Sequence, residues 1–408
     1  MRYLLAMLFL LLMTSQATAG VVLSLEEAET LFLGNSLEIK AKKLNVKKAE
    51  ADVLEAEALP NPALKYYLES LRNGESDQEV VYSLSQTVDL SGRRGRKIEA
   101  ALANKEAGGL FLEQEIAGLL AQMKQVFFRV LLLKANGQAL AVMVNRFSEF
   151  EGKTEARVKA GDAAPADLLK ISAEKGKTVR NLEVLRTTER AEKKRLGLLL
   201  NNPDGEIEVS GELLFQPVAL NHEELLNRSL KNRPDLKGQN RAVAASGSLL
   251  AAARKKWIPP VDLEAGYKKR TGGFEGVVFG ISIPLPLFNR NQAEISRALA
   301  ELEQSKLSLE VLEKTARQEV QLLLEQIMSQ QARIADLTRQ RETARELTKI
   351  ARLAYEEGET GLLELLEAVR TEKECLLEYN QAVYEHWSFI LELEKVSGTK
   401  LIGRGGAQ

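Results

Sequence analysis

The chain has one cysteine and two histidines, and only 5% of its residues are aromatic. A single cysteine, Cys375, cannot close an internal disulfide and reads as a small buried side chain. His222 and His386 lie far apart, with no cysteine or carboxylate array at metal-ligand spacing, so both read as packing or surface residues and no metal site is expected. No enzyme constellation is visible. "GRRGRK" at 92–97 carries glycines and bases but lacks the G-x-x-x-x-G-K-[ST] pattern of a phosphate loop, and no cofactor is implied. Charge of one sign is also missing: 56 Lys and Arg face 57 Asp and Glu, which argues against nucleic acid as a partner. After the first twenty residues there is no uninterrupted apolar run of about eighteen, which excludes an ordinary transmembrane helix. Any membrane crossing must then use strands. Scarce aromatics beside 28% charged residues suit long helices that bury narrow stripes.

What is present begins with the parts of a secretory signal in residues 1–19. Arg2 precedes an apolar run at 4–13, and Ala17-Thr18-Ala19 fits an A-x-A cleavage site. The run is too short to span a bilayer comfortably, so mature protein is expected to start near Gly20, outside the cytoplasm. No cysteine near that site indicates a lipid-modified N-terminus.

Self-comparison then shows a duplication. "LSLEEAETLFLGNSLEIK" from Leu23 matches "LNHEELLNRSLKNRPDLK" from Leu220, and "SLSQTVDLSGRRGRKI" from Ser83 matches "GISIPLPLFNRNQAEI" from Gly280. "AGDAAPADLL" from Ala160 matches "EGETGLLELL" from Glu357. All three pairs share one offset, so 20–200 and 220–398 are two copies of a unit, joined by a linker at 201–219 that opens on the polar stretch "NNPDGEIEVSGE" and followed by a tail at 399–408. Each copy opens on a helix with capping-box spacing, Ser24 with Glu27 and Asn221 with Glu224. A second helix follows, introduced in the second copy by Pro234 and stopped by prolines in both copies. The remainder is a helical hairpin of unusual length. Residues 291–357 hold no proline or glycine, and Leu309, Leu312, Ala316, Val320, Leu323, Ile327, Ile334 and Leu337 form a stripe that needs neighbouring helices. The first copy runs similarly over 94–159, with Gly108, Gly109 and Gly137 as weak points.

Between the helices lie two pairs of alternating segments, 63–71 with 80–90 and 261–269 with 276–285, each reading as a hairpin. Val80, Tyr82, Leu84 and Val88 share one face, and Ser83, Ser85, Thr87 and Asp89 the other. Strands of this length with one apolar face can cross an outer membrane obliquely, or can pack on helices as soluble hairpins. Tyr66, Tyr67, Tyr82, Tyr267, Phe274 and Phe279 concentrate here, and Trp257 and Phe288 fall at strand ends where an interfacial girdle would lie. Four strands cannot close a barrel alone, and open edges cannot sit in lipid. A membrane form must be an oligomer, and three chains would supply twelve strands.

Taken with "NRPDL" at 232–236, "LPNPAL" at 59–64, "SLSQTVDLSGRRGRK" at 83–97, "ISIPLPLFNRN" at 281–291 and the turns around Gly161 and Gly358, the sequence resembles the TolC family of outer-membrane channel-tunnel proteins. "NPALKYYLE" followed by "SLSQTVDLSGRR" most resembles the CzcC-type heavy-metal efflux branch. The resemblance implies a mainly α fold with a membrane β-barrel portion, a homotrimer closing a 12-stranded barrel in outer-membrane lipid, and a helical tunnel in the periplasm of a Gram-negative cell. It also implies two partners, a periplasmic adaptor and an inner-membrane pump of the RND type, for which the duct would be a passive exit. The residues alone leave a soluble periplasmic coiled-coil adaptor or scaffold open as an alternative.

The resemblance further implies a periplasmic gate at Asp167, Tyr355, Glu364 and Glu367, whose carboxylates would form rings by threefold symmetry. Thr360 stands where some members carry arginine, which puts a salt bridge there in doubt. Acids at 167 and 364 would equally suit helix N-termini. Gly161, Leu168, Gly358 and Leu365 are the expected adaptor-docking tips, the glycines supplying backbone freedom at the turns. Arg93 and Arg94, with Trp257 and Phe288, are expected at the membrane interface, near lipid phosphates or a neighbouring protomer.

Overall fold

The computed structural model describes residues 21–73, 75–203, 205–219, 221–398 and 401, so the signal segment and most of the tail lie outside the described residues. The described elements run β1 (Val21–Leu23), α1 (Leu25–Asn35), α2 (Leu37–Glu57), β2 (Ala63–Asn73), β3 (Glu75–Val88), α3 (Arg93–Ala160), α4 (Pro165–Leu199), β4 (Ile207–Val209), α5 (His222–Asn232), α6 (Pro234–Lys255), β5 (Val261–Arg270), β6 (Phe274–Ser282), α7 (Gln292–Glu356) and α8 (Leu362–Ser397). Mainly helical, the chain repeats helix, helix, strand, strand, long helix, helix. Local chemistry sets the ends. Ser24 Oγ accepts from Glu27 N while Glu27 Oε2 accepts from Ser24 N, a complete capping box. Asn221 Oδ1 accepts from Glu224 N at 3.3 Å. Pro165 and Pro234 open α4 and α6.

The chain forms two compact units, each taking matching parts of both copies. The first comprises Met1–Lys40, Glu115–Asn232 and Ala316–Gln408. Its core joins Phe32, Met123, Phe127, Phe128 and Leu131 to Val320, Leu324, Ile327, Val383, Trp387 and Ile390. Phe128 stacks on Trp387 with ring centroids 5.1 Å apart. The expected stripe on α7 is buried from Ala316 through Leu337 and half-buried at Leu309 and Leu312. Within this core Lys124 is buried between Glu29 at 2.5 Å and Glu394 at 3.6 Å.

The structure adds detail to three of the expectations. The linker at 201–219 is a structural element: β4 pairs in parallel with β1, Val21 opposite Ile207 and Leu23 opposite Val209, and Leu213, Phe215 and Val218 pack on the core. Trp387 Nε1 donates to Leu214 O at 2.9 Å, which fixes the linker across α8. As expected, α3 runs through its glycines, continuous from Arg93 to Ala160, although each costs about 1 kcal/mol. Finally, α3 does contain a window long and apolar enough to cross a membrane, although charges break its apolar run. More than half of that window is buried, and the residues that make it apolar are the core itself.

The second unit comprises Ala41–Gln114 and Arg233–Thr315. Its sheet is antiparallel in the order β2-β3-β5-β6, joining one hairpin from each copy. Both hairpins differ from their expected limits. Pairing continues to Asn73 opposite Glu75, so the ladder runs well beyond the expected limits at 71 and 80. β6 ends at Ser282, short of residue 285, because Pro284 has no amide to give the ladder.

Candidate functional site

In the sheet, the side chains that a soluble protein would bury face outward. Tyr66, Tyr82 and Tyr267 lie in one cross-strand row and Leu64, Leu84, Ala265 and Phe279 in the next. Phe279 is 79% exposed, and Val277 and Ile281 are exposed beside it. Ser83, by contrast, is 2% exposed. Its Oγ donates to Glu264 Oε1 at 2.5 Å, and Lys65 Nζ donates to Glu264 Oε2 at 2.9 Å. Thr87 Oγ1 donates to Asp262 Oδ1 at 2.5 Å, and Lys268 pairs with Glu79. The apolar face asks for a nonaqueous medium and the polar face for an aqueous one.

All four helix connections leave the sheet at one end, since Val88 pairs with Val261 and Asp262 with Ser282. Trp257 and Phe288 flank that end, Phe288 being 95% exposed, as an interfacial belt requires. Arg93 and Arg94 are there too, but half-buried and engaged. Arg93 Nε donates to Asp89 Oδ2 at 2.7 Å and Arg94 donates to the carbonyl of Glu57. Asp89 also accepts from Ser91 N and Oγ. Burial raises the Asp89 pKa, yet the hydrogen bonds from Ser91 and Arg93 outweigh it and hold the carboxyl below its usual range.

The other candidate residues gather at the hairpin turns of the first unit. Each long helix ends in a Schellman motif. Asp162 N donates to Arg157 O and Gly161 N to Val158 O; Glu359 N donates to Ala354 O and Gly358 N to Tyr355 O. Gly161 has φ 87° and Gly358 φ 80°, which side chains rarely adopt. Beyond the turns, the structure splits the expected residues into three groups. Tyr355 and Leu365 are buried together, with Met143, Phe147, Phe150, Ile171, Leu362, Leu366 and Val369. Glu364 and Glu367 share an open groove of about 580 Å³ with Thr360, Leu347, Ile350 and Leu363. Asp167 stands apart on α4, 3.2 Å from Lys170 Nζ. Leu365, at 0% exposed, is no free docking tip, and Leu168 is half-buried; the outward apolar side chains at the turns are Leu169 and Leu363. A shift of one or two helical positions decides this, and the sequence pattern does not fix it.

Sequence reasoning missed the polar ties between the two helical hairpins. Arg157 Nη1 donates to Tyr355 O at 2.8 Å, and its guanidinium lies 5.1 Å from the Tyr355 ring centroid. Thr154 Oγ1 and Tyr355 Oη share a hydrogen bond of 2.9 Å. Lys153 reaches Glu356 at 2.6 Å, and Arg146 Nη1 donates to both Glu372 oxygens at 2.9 and 2.8 Å. Arg370 on α8 binds Glu174 on α4, a hydrogen bond that holds the Glu174 carboxyl below its usual range and raises the guanidinium. A signal existed: at the common offset, Thr154 and Arg157 correspond to Ala351 and Ala354, so the copies differ where they meet.

Among the described residues no group of three or more His, Cys, Asp or Glu is placed to hold a metal ion. Cys375 is half-buried, and burial raises its pKa. His386 is fully buried with Nε2 3.1 Å from Gln216 O, and burial lowers its pKa.

The family model described as "Outer membrane efflux protein" matches residues 30–198 and 225–398. The cobalt-zinc-cadmium resistance protein CzcC of Cupriavidus metallidurans is 23% identical over 381 residues, covering 92% of this chain and 90% of CzcC. Among solved structures, a crystal structure of CusC aligns with a TM-score of 0.79 at 20% identity, covering 93% of this chain and 92% of that one. The outer membrane protein VceC of Vibrio cholerae aligns with a TM-score of 0.77 at 16% identity over 93% of this chain and 97% of its own. These likenesses agree on the channel-tunnel fold.

Proposed function

This chain belongs to the outer membrane efflux protein family, and from that premise we propose that three copies assemble one exit duct, gated at the two hairpin turns. The chain is an outer-membrane efflux channel, with its helices on the periplasmic side. One observation carries the assembly: a sheet with exposed apolar rows on one face, hydrogen-bonded charges on the other, and two edges, β2 and β6, unpaired among the described residues. Strand direction alternates across β2-β3-β5-β6, so β6 of one protomer can pair antiparallel with β2 of the next. Closure by three protomers gives about twelve strands, enough to line an aqueous lumen with the polar face.

At the periplasmic end, Arg157 and Thr154 clasp Tyr355 and hold one hairpin against the other. Opening must break these ties, while Glu364 and Glu367, exposed in their groove, present carboxylates that favour cations in the passage. Asp167 adds a third acid on the other hairpin. Leu169 and Leu363, beside Gly161 and Gly358, supply apolar contacts for a periplasmic adaptor, which would connect the duct to an inner-membrane pump of the RND type. CzcC is named for cobalt, zinc and cadmium resistance, and we infer divalent transition-metal cations as cargo for this chain also.

Fractionation of cells followed by mass measurement in detergent tests the assembly. A trimeric mass from the outer-membrane fraction is expected; a water-soluble monomer would support the scaffold reading instead. For the cargo, deletion should sensitise the host to cobalt, zinc and cadmium. Sensitivity to dyes and antibiotics without metal sensitivity would overturn that assignment.

A further inference from the structure

The end of the sheet from which the helices leave carries more positive charge than its ion pairs consume. Arg93 is paired with Asp89, Arg96 with Glu99 and Lys256 with Glu294, and Arg94 is spent on a main-chain carbonyl. Asp52, Glu55 and Asp89 lie in one groove with Arg93, Arg94 and Lys97, on the first copy's side. Arg254, Lys255 and Arg290 have no carboxylate at salt-bridge distance among the described residues, and all three come from the second copy. The fold brings them together. Asn291 Nδ2 donates to Ala253 O at 2.9 Å, which docks the start of α7 on the end of α6, and Lys256 reaches Glu294 beside it. Lys255 Nζ lies 3.3 Å from where a side chain on Gly92 would begin.

Around these cations stand exposed apolar side chains of the second copy: Trp257, Leu285, Leu287 and Phe288. Charge above an apolar belt at one height is the pattern of an interface with acyl chains on one side and headgroups on the other. Cations in the last turn of α6 also favour that helix end, but Arg290 lies outside any helix, and helix polarity does not explain it.

We propose that Arg254, Lys255 and Arg290 form a binding site for anionic glycerophospholipid headgroups in the periplasm-facing leaflet of the outer membrane, with Trp257 and Phe288 seated at the headgroup end of the acyl chains. The proposal rests on the reading that the sheet crosses that membrane. It replaces the sequence-based expectation for Arg93 and Arg94, which are structural ties of the joint. The repeat therefore divides its labour: the first copy's basic cluster locks the joint, and the second copy's grips lipid.

The test uses full-length protein reconstituted in phosphatidylcholine with a small fraction of phospholipid brominated near the headgroup end of the acyl chains. Bromine quenches the exposed Trp257, while Trp387, buried in the core, supplies a constant background, and Trp257→Phe identifies the component. Brominated phosphatidylglycerol should out-compete brominated phosphatidylcholine about five- to tenfold at low salt, with the preference weakening in 0.5 M salt. Arg254→Gln, Lys255→Gln and Arg290→Gln together should bring the ratio to about one. Arg254→Lys with Arg290→Lys should retain the preference. Equal quenching by both lipids in the unmodified protein, or an undiminished preference in the triple variant, overturns the proposal. So does a loss of oligomeric mass in that variant, which would assign the cations to a neighbouring copy. If neither lipid quenches Trp257, the membrane reading itself fails.

Discussion

Replacing Arg157 with alanine removes two contacts between the helical hairpins at once. The charge-assisted hydrogen bond to Tyr355 O is 2.8 Å long and half-buried, which places it near the low end of the range, about 1.5 kcal/mol. The guanidinium over the Tyr355 ring at 5.1 Å adds about 0.5–1 kcal/mol. Together they favour the clasped arrangement by about 2 kcal/mol per protomer, or roughly thirtyfold in the equilibrium. The Thr154–Tyr355 hydrogen bond survives, so partial closure remains. Single-channel recording in planar bilayers reads the effect directly: Arg157→Ala should raise the ratio of open to closed time by at least about thirtyfold. Tyr355→Phe, which deletes only the hydroxyl bound to Thr154, should raise it by about fivefold. Arg157→Lys should fall between the unmodified protein and the alanine variant, because a lysine lacks the planar fork. An unchanged open fraction in Arg157→Ala, with the fold intact by circular dichroism, would refute the clasp.

Glu364→Gln with Glu367→Gln should lower the cation-to-anion permeability ratio in reversal-potential measurements; unchanged selectivity removes these acids from the pore. Gly358→Ala forces a side chain into φ 80° and should cost about 1–2 kcal/mol, seen as a lower thermal midpoint in detergent, whereas Gly361→Ala carries no such backbone penalty. Glu174 has its folded pKa depressed by Arg370, so this tie contributes above the unfolded carboxylate value of about 4.3 and is lost as pH falls through the folded one. Open probability should therefore rise on acidification below about pH 4, and Arg370→Gln should abolish that part of the profile.

The duplication, the hairpins and the long helices were legible because each depends on period and spacing, which a sequence displays. The outward tyrosine and leucine rows were legible too, since alternation survives whichever medium covers each face. What escaped depends on which helix faces which. Arg157 meets Tyr355 only through the mutual rotation of α3 and α7, and Leu365 turns inward by the same rotation while Leu363 turns out. The linker at 201–219 displayed no period because its apolar residues are spaced irregularly; Leu213, Phe215 and Val218 find a core that other segments build. Arg93 and Arg94 showed their charge but not its use, since Asp89 and the Glu57 carbonyl claim them only after β3 and α2 are placed.

The small parallel pair of β1 and β4 has a bearing on export. Val21–Leu23 leaves the translocation machinery ahead of every other described segment, yet its strand partner among the described residues is Ile207–Val209, and the linker that holds β4 is pinned by Trp387. Pairing so distant in sequence is slow, because the loop must close before any contact forms. The first stretch to arrive is therefore among the last to settle, waiting until the second copy has crossed and its final helix is in place. Until then Val21–Leu23 offers an unpaired edge in the periplasm, the state in which a chaperone for extended segments would find this chain.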